Sequence, residues 1–326
     1  MSRRQGYDDS NRAFLQALMA RSTMTLTEAK PILAAILSVH GGETVSPNAI
    51  TENHLNSFVM AANSAISPLD LEIRSTIPQV ELDDPTNEQV NPERVYALVN
   101  TTSDGLTQLA TTHTADEISY VKRVLDKMFE TNNNKITEAI SLSTMEALNE
   151  CKVGGSNRRE SGSATQATQG GAAQPLTMGQ AETVLKQLCE DGWFEKSQKG
   201  FYTLSPRGLM ELRGWLVATY NDENEGGRRN QKIKFCAACK DIITIGQRCG
   251  NRDCAGRLHD RCMRNFFRVQ KAEQCPICRA PWPGDKYVGE RAISSGQRRS
   301  NVRPSGVGPS TQLTQATDEM SEEESD

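Results

Sequence analysis

Apolar residues recur at helical spacing in three segments near the start of the chain, and this pattern predicts three helices. The positions that share the spacing are Phe14, Leu15, Leu18, Met19, Ile32, Leu33, Ile36, Leu37, Ile50, Leu55, Phe58 and Val59. Thr25 and Glu28 have the spacing of a capping box, which marks the start of the second helix. Alternating runs at 71–77 and 95–99, separated by the turn residues 83–85, predict a long β-hairpin. Three helices followed by a hairpin are the outline of a winged helix.

The same outline recurs in the next hundred residues. Thr114 and Glu117 repeat the capping-box spacing, a second helix is predicted over 137–149, and a third begins after Thr177. Its apolar face carries Ala181, Val184, Leu185 and Leu188. The segment 193–204 then reads as strand, turn and strand. The pattern predicts a mainly α chain with small β elements, in which tandem winged-helix domains occupy 10–110 and 111–220. A generic small helical domain with one hairpin is the alternative.

Composition favours several small modules over one large core. Of 326 residues, 37% are hydrophobic and 5% aromatic, and the low-complexity stretch 154–174 is predicted to be a flexible insert. No run approaches 18 apolar residues, so no membrane span is expected. The chain begins without an apolar stretch of the signal-peptide kind, so we expect a compartment that keeps thiols reduced. In such a compartment, clustered cysteines are more typical of metal ligands than of disulfide bonds.

Seven of the nine cysteines lie between Cys236 and Cys278. With His259 they form the pattern C-x2-C-x9-C-x4-C-x4-H-x2-C-x12-C-x2-C, which predicts two structural Zn²⁺ sites in a domain spanning 232–285. Modules with this C4HC3 order interleave their sites in a cross-brace. Applied to this chain, that arrangement gives one zinc to Cys236, Cys239, His259 and Cys262, and the other to Cys249, Cys254, Cys275 and Cys278. All four positions of each ion are then filled, which excludes a hydrolytic zinc.

The last pair of ligands favours a RING-like module over a PHD finger. A PHD finger usually has Trp two residues before the seventh ligand, where this chain has Glu273. The segment Cys275-Pro-Ile-Cys-Arg279 is similar to that of RING ubiquitin ligases, in which the proline and an apolar neighbour contact the ubiquitin-conjugating enzyme. That similarity makes Pro276, Ile277 and Arg279 the candidate contacts. Ala237 and Ala238 are small where a larger apolar residue often lies, and no Trp occurs between Cys262 and Cys275, so the groove is expected to be weak.

Tandem winged helices followed by a C4HC3 module, together with the segment 191–212, resemble the non-SMC element 1 family of the SMC-five/SMC-six chromosome-maintenance complex. The likeness covers roughly 10–285, and the insert and tail are fungal in style. The resemblance implies a nuclear, chromatin-bound protein of DNA repair and recombination. It implies stable binding to a MAGE-like subunit (non-SMC element 3) and a kleisin, and RING-type E3 ubiquitin transferase activity that depends on the MAGE-like partner. The alternative is a non-catalytic scaffold that assembles the complex.

Charge is distributed unevenly along the chain. Residues 228–285 carry a net charge of +8, whereas the last nine residues hold six acids and no base. The segment 286–326 is polar with almost no aromatic residue, which predicts a disordered tail. In the third helix of the second winged helix, Lys186 is the only base among three acids, so DNA is expected to be contacted at most indirectly. Thr317 and Ser321 precede acids and are candidate sites for an acidophilic kinase.

Overall fold

The computed structural model describes residues 7–82, 92–101, 106, 109, 111–152, 174–223 and 229–293. The predicted turn at 83–85, all but the last residue of the predicted insert 154–174, and the tail beyond 293 lie outside these ranges. The described helices are α1 Asp9–Arg21, α2 Leu26–Gly41, α3 Glu52–Ile66, α4 Ala115–Asp126, α5 Thr144–Asn149, α6 Met178–Glu190, α7 Pro206–Glu211, α8 Arg213–Tyr220 and α9 Asp260–Gln270. The strands are β1 Thr23–Thr25, β2 Leu71–Thr76, β3 Val95–Asn100, β4 Leu142–Ser143, β5 Phe194–Lys196, β6 Phe201–Leu204, β7 Asn221–Glu223, β8 Arg229–Gln231, β9 Gly246–Arg248, β10 Arg257–Leu258 and β11 Tyr287–Val288.

The first winged helix packs α1, α2 and α3 against an antiparallel sheet with strand order β1-β3-β2. Thr25 and Glu28 form the predicted capping box at the start of α2. β2 pairs with β3 over six residues, with Ile73 opposite Leu98, which confirms the two strands of the hairpin. The core is formed by residues from all three helices and the sheet: Phe14, Leu18, Leu33, Leu55, Phe58, Ile73 and Tyr96.

The second winged helix repeats this topology, with helices α4, α5 and α6 and a sheet of strand order β4-β6-β5. Capping boxes at Thr114 and Thr177 begin α4 and α6 as predicted. The prediction of a helix over 137–149 was wrong in its first half, because the helix begins only at Thr144, after β4. Ile140 has a positive φ of 44°, which a continuous helix excludes, and the preceding segment is hydrogen-bonded to Arg248 and Arg257 of the cysteine-rich module instead.

The third module combines a small sheet of order β10-β9-β11 with helix α9. Its apolar core is small and consists of Leu258, Met263 and Trp282 beside four of the cysteines. The sequence predicted a disordered tail over 286–326. The structure differs at 286–293, where the chain is ordered. β11 pairs with β9, Val288 is fully buried and Ala292 is buried, so the module extends past the predicted boundary at 285.

Hydrogen bonds join the three modules to one another. Gln79 of the first winged helix donates to the carbonyl oxygen of Ile242 at 2.8 Å and accepts from the amides of Thr244 and Ile245 at 2.9 and 3.0 Å. Glu211 of the second accepts from the amide of Asn100 in the first at 3.0 Å. None of the described helices has the length and hydropathy needed to span a membrane.

Candidate metal centre

The structure brings the eight predicted ligands into two groups of four. The first cluster is Cys236, Cys239, His259 and Cys262, and the second cluster is Cys249, Cys254, Cys275 and Cys278. Within each group the candidate ligand atoms all lie within 4.8 Å of one another. The first cluster combines the first and third ligand pairs along the chain and the second cluster combines the second and fourth, which is the interleaved arrangement expected from the sequence.

Distances between the ligand atoms match the edges of a tetrahedron around a metal ion of zinc's size. With metal–sulfur bonds of about 2.3 Å and metal–nitrogen bonds of about 2.0 Å, those edges measure about 3.8 Å between sulfurs and about 3.5 Å from sulfur to nitrogen. The Cys249–Cys278 and Cys254–Cys275 sulfurs are 3.5 and 3.6 Å apart. His259 Nδ1 lies 3.3 Å from Cys239 Sγ and 3.8 Å from Cys262 Sγ. Both clusters therefore fit a four-coordinate ion, with Nδ1 as the ligating atom of His259.

Electrostatics in the first cluster favour a bound cation. Hydrogen bonds from the Cys239 and Cys262 thiols lower the pKa of Cys236, which stabilises its thiolate. Burial would lower the pKa of His259, but hydrogen bonds and charge from Cys236 and Cys239 outweigh it and raise that pKa to about 9. The negative sulfurs that raise this pKa would equally stabilise a metal ion at the centre of the cluster.

In the second cluster, Cys278 is the cysteine whose pKa is lowered. A hydrogen bond from the backbone of Ala280, followed by one from Cys249, lowers the pKa of Cys278 to about 7. Burial raises the pKa of Cys249 to about 12, so Cys278 ionises before Cys249. Because the thiolate is the form of cysteine that binds metals, the lowered pKa makes Cys278 a good metal ligand.

The two C-x2-C segments adopt the same local fold. In the first, Cys236 N donates to Asp241 O at 2.8 Å and Lys240 N donates to Cys236 O at 3.0 Å. In the second, Cys275 N donates to Ala280 O at 2.8 Å and the Arg279 amide donates to Cys275 O at 3.1 Å. The residue after each second cysteine has a positive φ, 65° and 62° respectively. This turn points both sulfurs of each pair to one side.

Gly256 is the residue that lets the second cluster close. A Cβ atom at this position would lie 2.4 Å from Cys275 Sγ, a distance that no side chain can adopt. Its amide also donates to Cys254 Sγ at 3.3 Å, a bond that orients the sulfur. The backbone therefore approaches the sulfurs as closely as a compact four-sulfur site requires.

A buried ionic cluster joins the second winged helix to this module, and the sequence pattern did not indicate it. Glu138, 1% exposed, accepts from Arg257 Nε and Nη2 at 2.8 and 2.6 Å, and it also pairs with Lys234 and Arg248. Arg257 is fully buried and also donates to the carbonyl oxygens of Cys254 and Gly256 at 2.7 and 2.9 Å. Glu138 thus supports the backbone that carries a ligand of the second cluster.

Comparison with protein families decides the affiliation of the chain. The model of the Nse1 non-SMC component of SMC5-6 complex matches residues 11–212. The chain belongs to the Nse1 family. A RING-like domain model matches residues 236–278, from the first ligand to the last. The helix-rich fold with tandem winged helices and a RING-like module, predicted from the sequence, is confirmed.

Relatives in the Nse1 family match this chain over about half of its length or more. The human non-structural maintenance of chromosomes element 1 homolog is 24% identical over 306 residues, which cover 93% of this chain and 96% of the human one. The Saccharomyces cerevisiae element 1 is 29% identical over 171 residues, about half of each chain. A solved structure described as an Nse1-Nse3-Nse4 complex superimposes with a TM-score of 0.59 at 21% identity, over 87% of this chain and 99% of that one.

In this Nse1-family chain, the candidate contacts for a conjugating enzyme lie on the surface turn of the second cluster. Ile277 is 56% exposed, Arg279 is exposed and Pro276 is half-buried. Ala238 is exposed and Ala237 half-buried on the turn of the first cluster. The turn is thus accessible to a protein partner, and a large isoleucine side chain is left in solvent.

Proposed function

We propose that this chain is a RING-type E3 ubiquitin transferase subunit of the SMC5-6 complex, acting in the nucleus in DNA repair and recombination. The observation that carries the proposal is the turn 276–279 on a RING-like module, in which Ile277 and Arg279 are exposed. An exposed isoleucine held rigidly beside a basic residue is suited to bind a protein surface, because it needs little ordering when a partner docks.

We also propose that both clusters hold structural Zn²⁺. Thiolate and imidazole donors in tetrahedral sets of four favour zinc, and the core formed by Leu258, Met263 and Trp282 is too small to hold the module alone. Each zinc would tie one C-x2-C turn to a second pair of ligands in the module and leave no open coordination position. The metal would then stabilise the fold of the module, and the surface turns would bind the partner protein.

The proposed mechanism is catalysis by positioning. A RING-type ligase holds a ubiquitin-charged conjugating enzyme so that a substrate lysine meets an oriented thioester. Here Ile277 would pack against an apolar part of the conjugating enzyme, with Pro276 stiffening the turn, and Arg279 would donate hydrogen bonds across the enzyme–ubiquitin boundary. No nucleophile or general base of this chain takes part.

The family affiliation supports the proposed partners. The relative whose structure matches is described as a complex of Nse1 with Nse3 and Nse4. We propose that this chain likewise binds a MAGE-like subunit and a kleisin, and that its winged helices, spanning 10–110 and 111–220, form that interface. The third helix of the second winged helix supports a protein partner over DNA, because Lys186 is paired with Glu190 at 3.6 Å.

A reconstituted ubiquitin-transfer assay tests the ligase proposal. The full chain with its MAGE-like partner is combined with a panel of charged conjugating enzymes, and Ile277→Ala and Arg279→Ala are expected to lower transfer by about tenfold or more. Arg252→Ala, an exposed arginine of the same module, is the matched control and should leave transfer unchanged. Full transfer by both turn variants at unchanged zinc content would refute the assignment of the turn.

A scaffold role is the second candidate, and the small side chains of Ala237 and Ala238 favour it. They offer little apolar area where a docking enzyme would press on the first turn. Cells carrying a transfer-deficient variant such as Arg279→Ala discriminate the two functions. Normal survival after DNA damage would favour the scaffold, and lost survival with an intact complex would favour the ligase.

A further inference from the structure

A groove of about 560 Å³ lies between the first winged helix and the RING-like module. One wall is the segment 75–80, which continues from β2 and includes Ile77, Pro78 and Val80. The opposite wall is formed by Ala237 and Ala238 and by Phe266 and Val269 of α9. Val269 is 81% exposed, so the groove presents an open apolar surface that nothing in the described part of the chain covers.

The rim of this groove carries uncompensated positive charge. Arg94, which precedes β3, and Arg261, in the first turn of α9, both line it. Neither guanidinium forms an ion pair with any residue in the described ranges. Asp241 also lines the groove, but its carboxylate lies 3.4 Å from Arg213, which offsets its charge. Such a surface is suited to a short segment that combines acidic residues with an apolar one.

The chain itself contains such a segment. Beyond Ile293 it continues for 33 residues, and all six acids of that stretch lie in 318–326, around Met320. The described chain ends close to the groove, because Arg291 lies 3.9 Å from Glu81 and donates to the carbonyl oxygen of Leu82 at 3.2 Å, directly after the wall segment 75–80. The 24 residues between 293 and 318 can extend up to about 80 Å, which is ample to reach it.

We propose that the acidic segment 318–326 binds in this groove within the same molecule. Met320 would pack against the apolar walls, and the acids would face Arg94 and Arg261. Tethering raises the effective concentration of the segment to the order of mM, so a weak contact is sufficient for occupancy. The bound segment would cover Ala237 and Ala238 and so limit access to that face of the RING-like module. The binding itself does not depend on ligase activity.

Hydrogen–deuterium exchange on the zinc-loaded full chain tests the intramolecular contact. Compared with a chain that ends at Thr317, the full chain is expected to exchange more slowly over 75–80 and 261–269. The difference should not vary with protein concentration, and a difference that grows with concentration would instead assign the groove to the tail of a second copy. Equal exchange over both segments in the two chains would overturn the proposal.

A peptide of residues 311–326, labelled for fluorescence anisotropy, tests the chemistry on the chain that ends at Thr317. Saturable binding that weakens with salt is expected, and a peptide with amides in place of the six acids should bind about tenfold more weakly. Arg94→Glu and Arg261→Glu should each weaken binding by a similar factor, at unchanged zinc content. Arg268→Glu lies on the same helix outside the groove and serves as the matched control. Equal binding by all these variants would overturn the proposal, whatever the outcome of the ubiquitin assays.

Discussion

Replacement of Glu138 by glutamine is expected to destabilise the chain far more than a single charge usually does. The glutamine keeps the shape of the side chain but removes the charge that Arg257, Lys234 and Arg248 share. Glu138 and Arg257 have side chains 2% and 0% exposed, so water cannot replace the lost partner. The variant therefore leaves three buried or half-buried cations without their common carboxylate.

The expected loss follows from the burial of this pair. Removal of one partner from a buried ion pair costs about 3–5 kcal/mol of unfolding free energy, because the remaining charge stays desolvated. For a chain of this size, each kcal/mol lowers the melting temperature by about 2–4 °C. We therefore expect Glu138→Gln to melt at least about 6 °C below the wild type near neutral pH.

The effect is expected to depend on pH in one direction. Burial alone would raise the pKa of Glu138, but hydrogen bonds and charge from Arg257 and Lys234 hold it below the ordinary value of 4.5. The stabilising contribution is therefore complete above about pH 4.5 and is lost as the pH falls through the lowered pKa. The difference between wild type and Glu138→Gln should accordingly narrow in acid.

Thermal unfolding followed by circular dichroism measures the destabilisation, and a colorimetric chelator measures zinc release. Faster release is expected from Glu138→Gln, since Arg257 also supports the carbonyl oxygens of Cys254 and Gly256. Glu43→Gln, at an exposed position, is the matched control and should behave as wild type. Wild-type melting and wild-type zinc release in the Glu138→Gln variant would refute the role assigned to the ionic cluster.

Three further expectations concern the metal content, the packing of α7, and the contact between the first winged helix and the RING-like module. Mass spectrometry under native conditions should find two zinc ions per chain, reduced to one in Cys275→Ser and unchanged in Cys189→Ser. Gly208→Ala should lower the melting temperature strongly, because its Cβ would lie 2.4 Å from a backbone carbonyl oxygen, whereas Gly214→Ala, with no atom within 4 Å, should be neutral or stabilising. Gln79→Ala removes hydrogen bonds to the backbone of the RING-like module at a cost of about 2 kcal/mol, and hydrogen exchange there should accelerate.

Local patterns in the sequence were sufficient to predict the tandem winged helices. The capping boxes at Thr25, Thr114 and Thr177 are short-range features, and each begins a helix in the structure. The grouping of the ligands was also predictable, because modules with the C4HC3 order interleave their sites and this chain has the ligand spacing they require. The capping boxes depend on residues close in sequence, and the ligand grouping depends on an arrangement that recurs in modules of the C4HC3 order.

The structural features that the sequence did not predict depend on long-range contacts. Nothing near Glu138 indicates that an arginine 119 residues later will neutralise it, and a helix was predicted across that segment instead. The segment 286–293 was similarly assigned to the tail, since its polar composition does not reveal that β11 completes the sheet of the RING-like module.

The Glu138–Arg257 pair has a consequence for the order in which the chain folds during its synthesis. Glu138 leaves the ribosome 119 residues before Arg257, and β11 follows later still. Until those residues emerge, Glu138 has no counter-charge and its loop stays hydrated. The segment around Glu138 therefore reaches its native contacts only after the RING-like module has been translated. A chain cut short within the cysteine-rich segment would accordingly leave both the RING-like module and the loop around Glu138 without their native contacts.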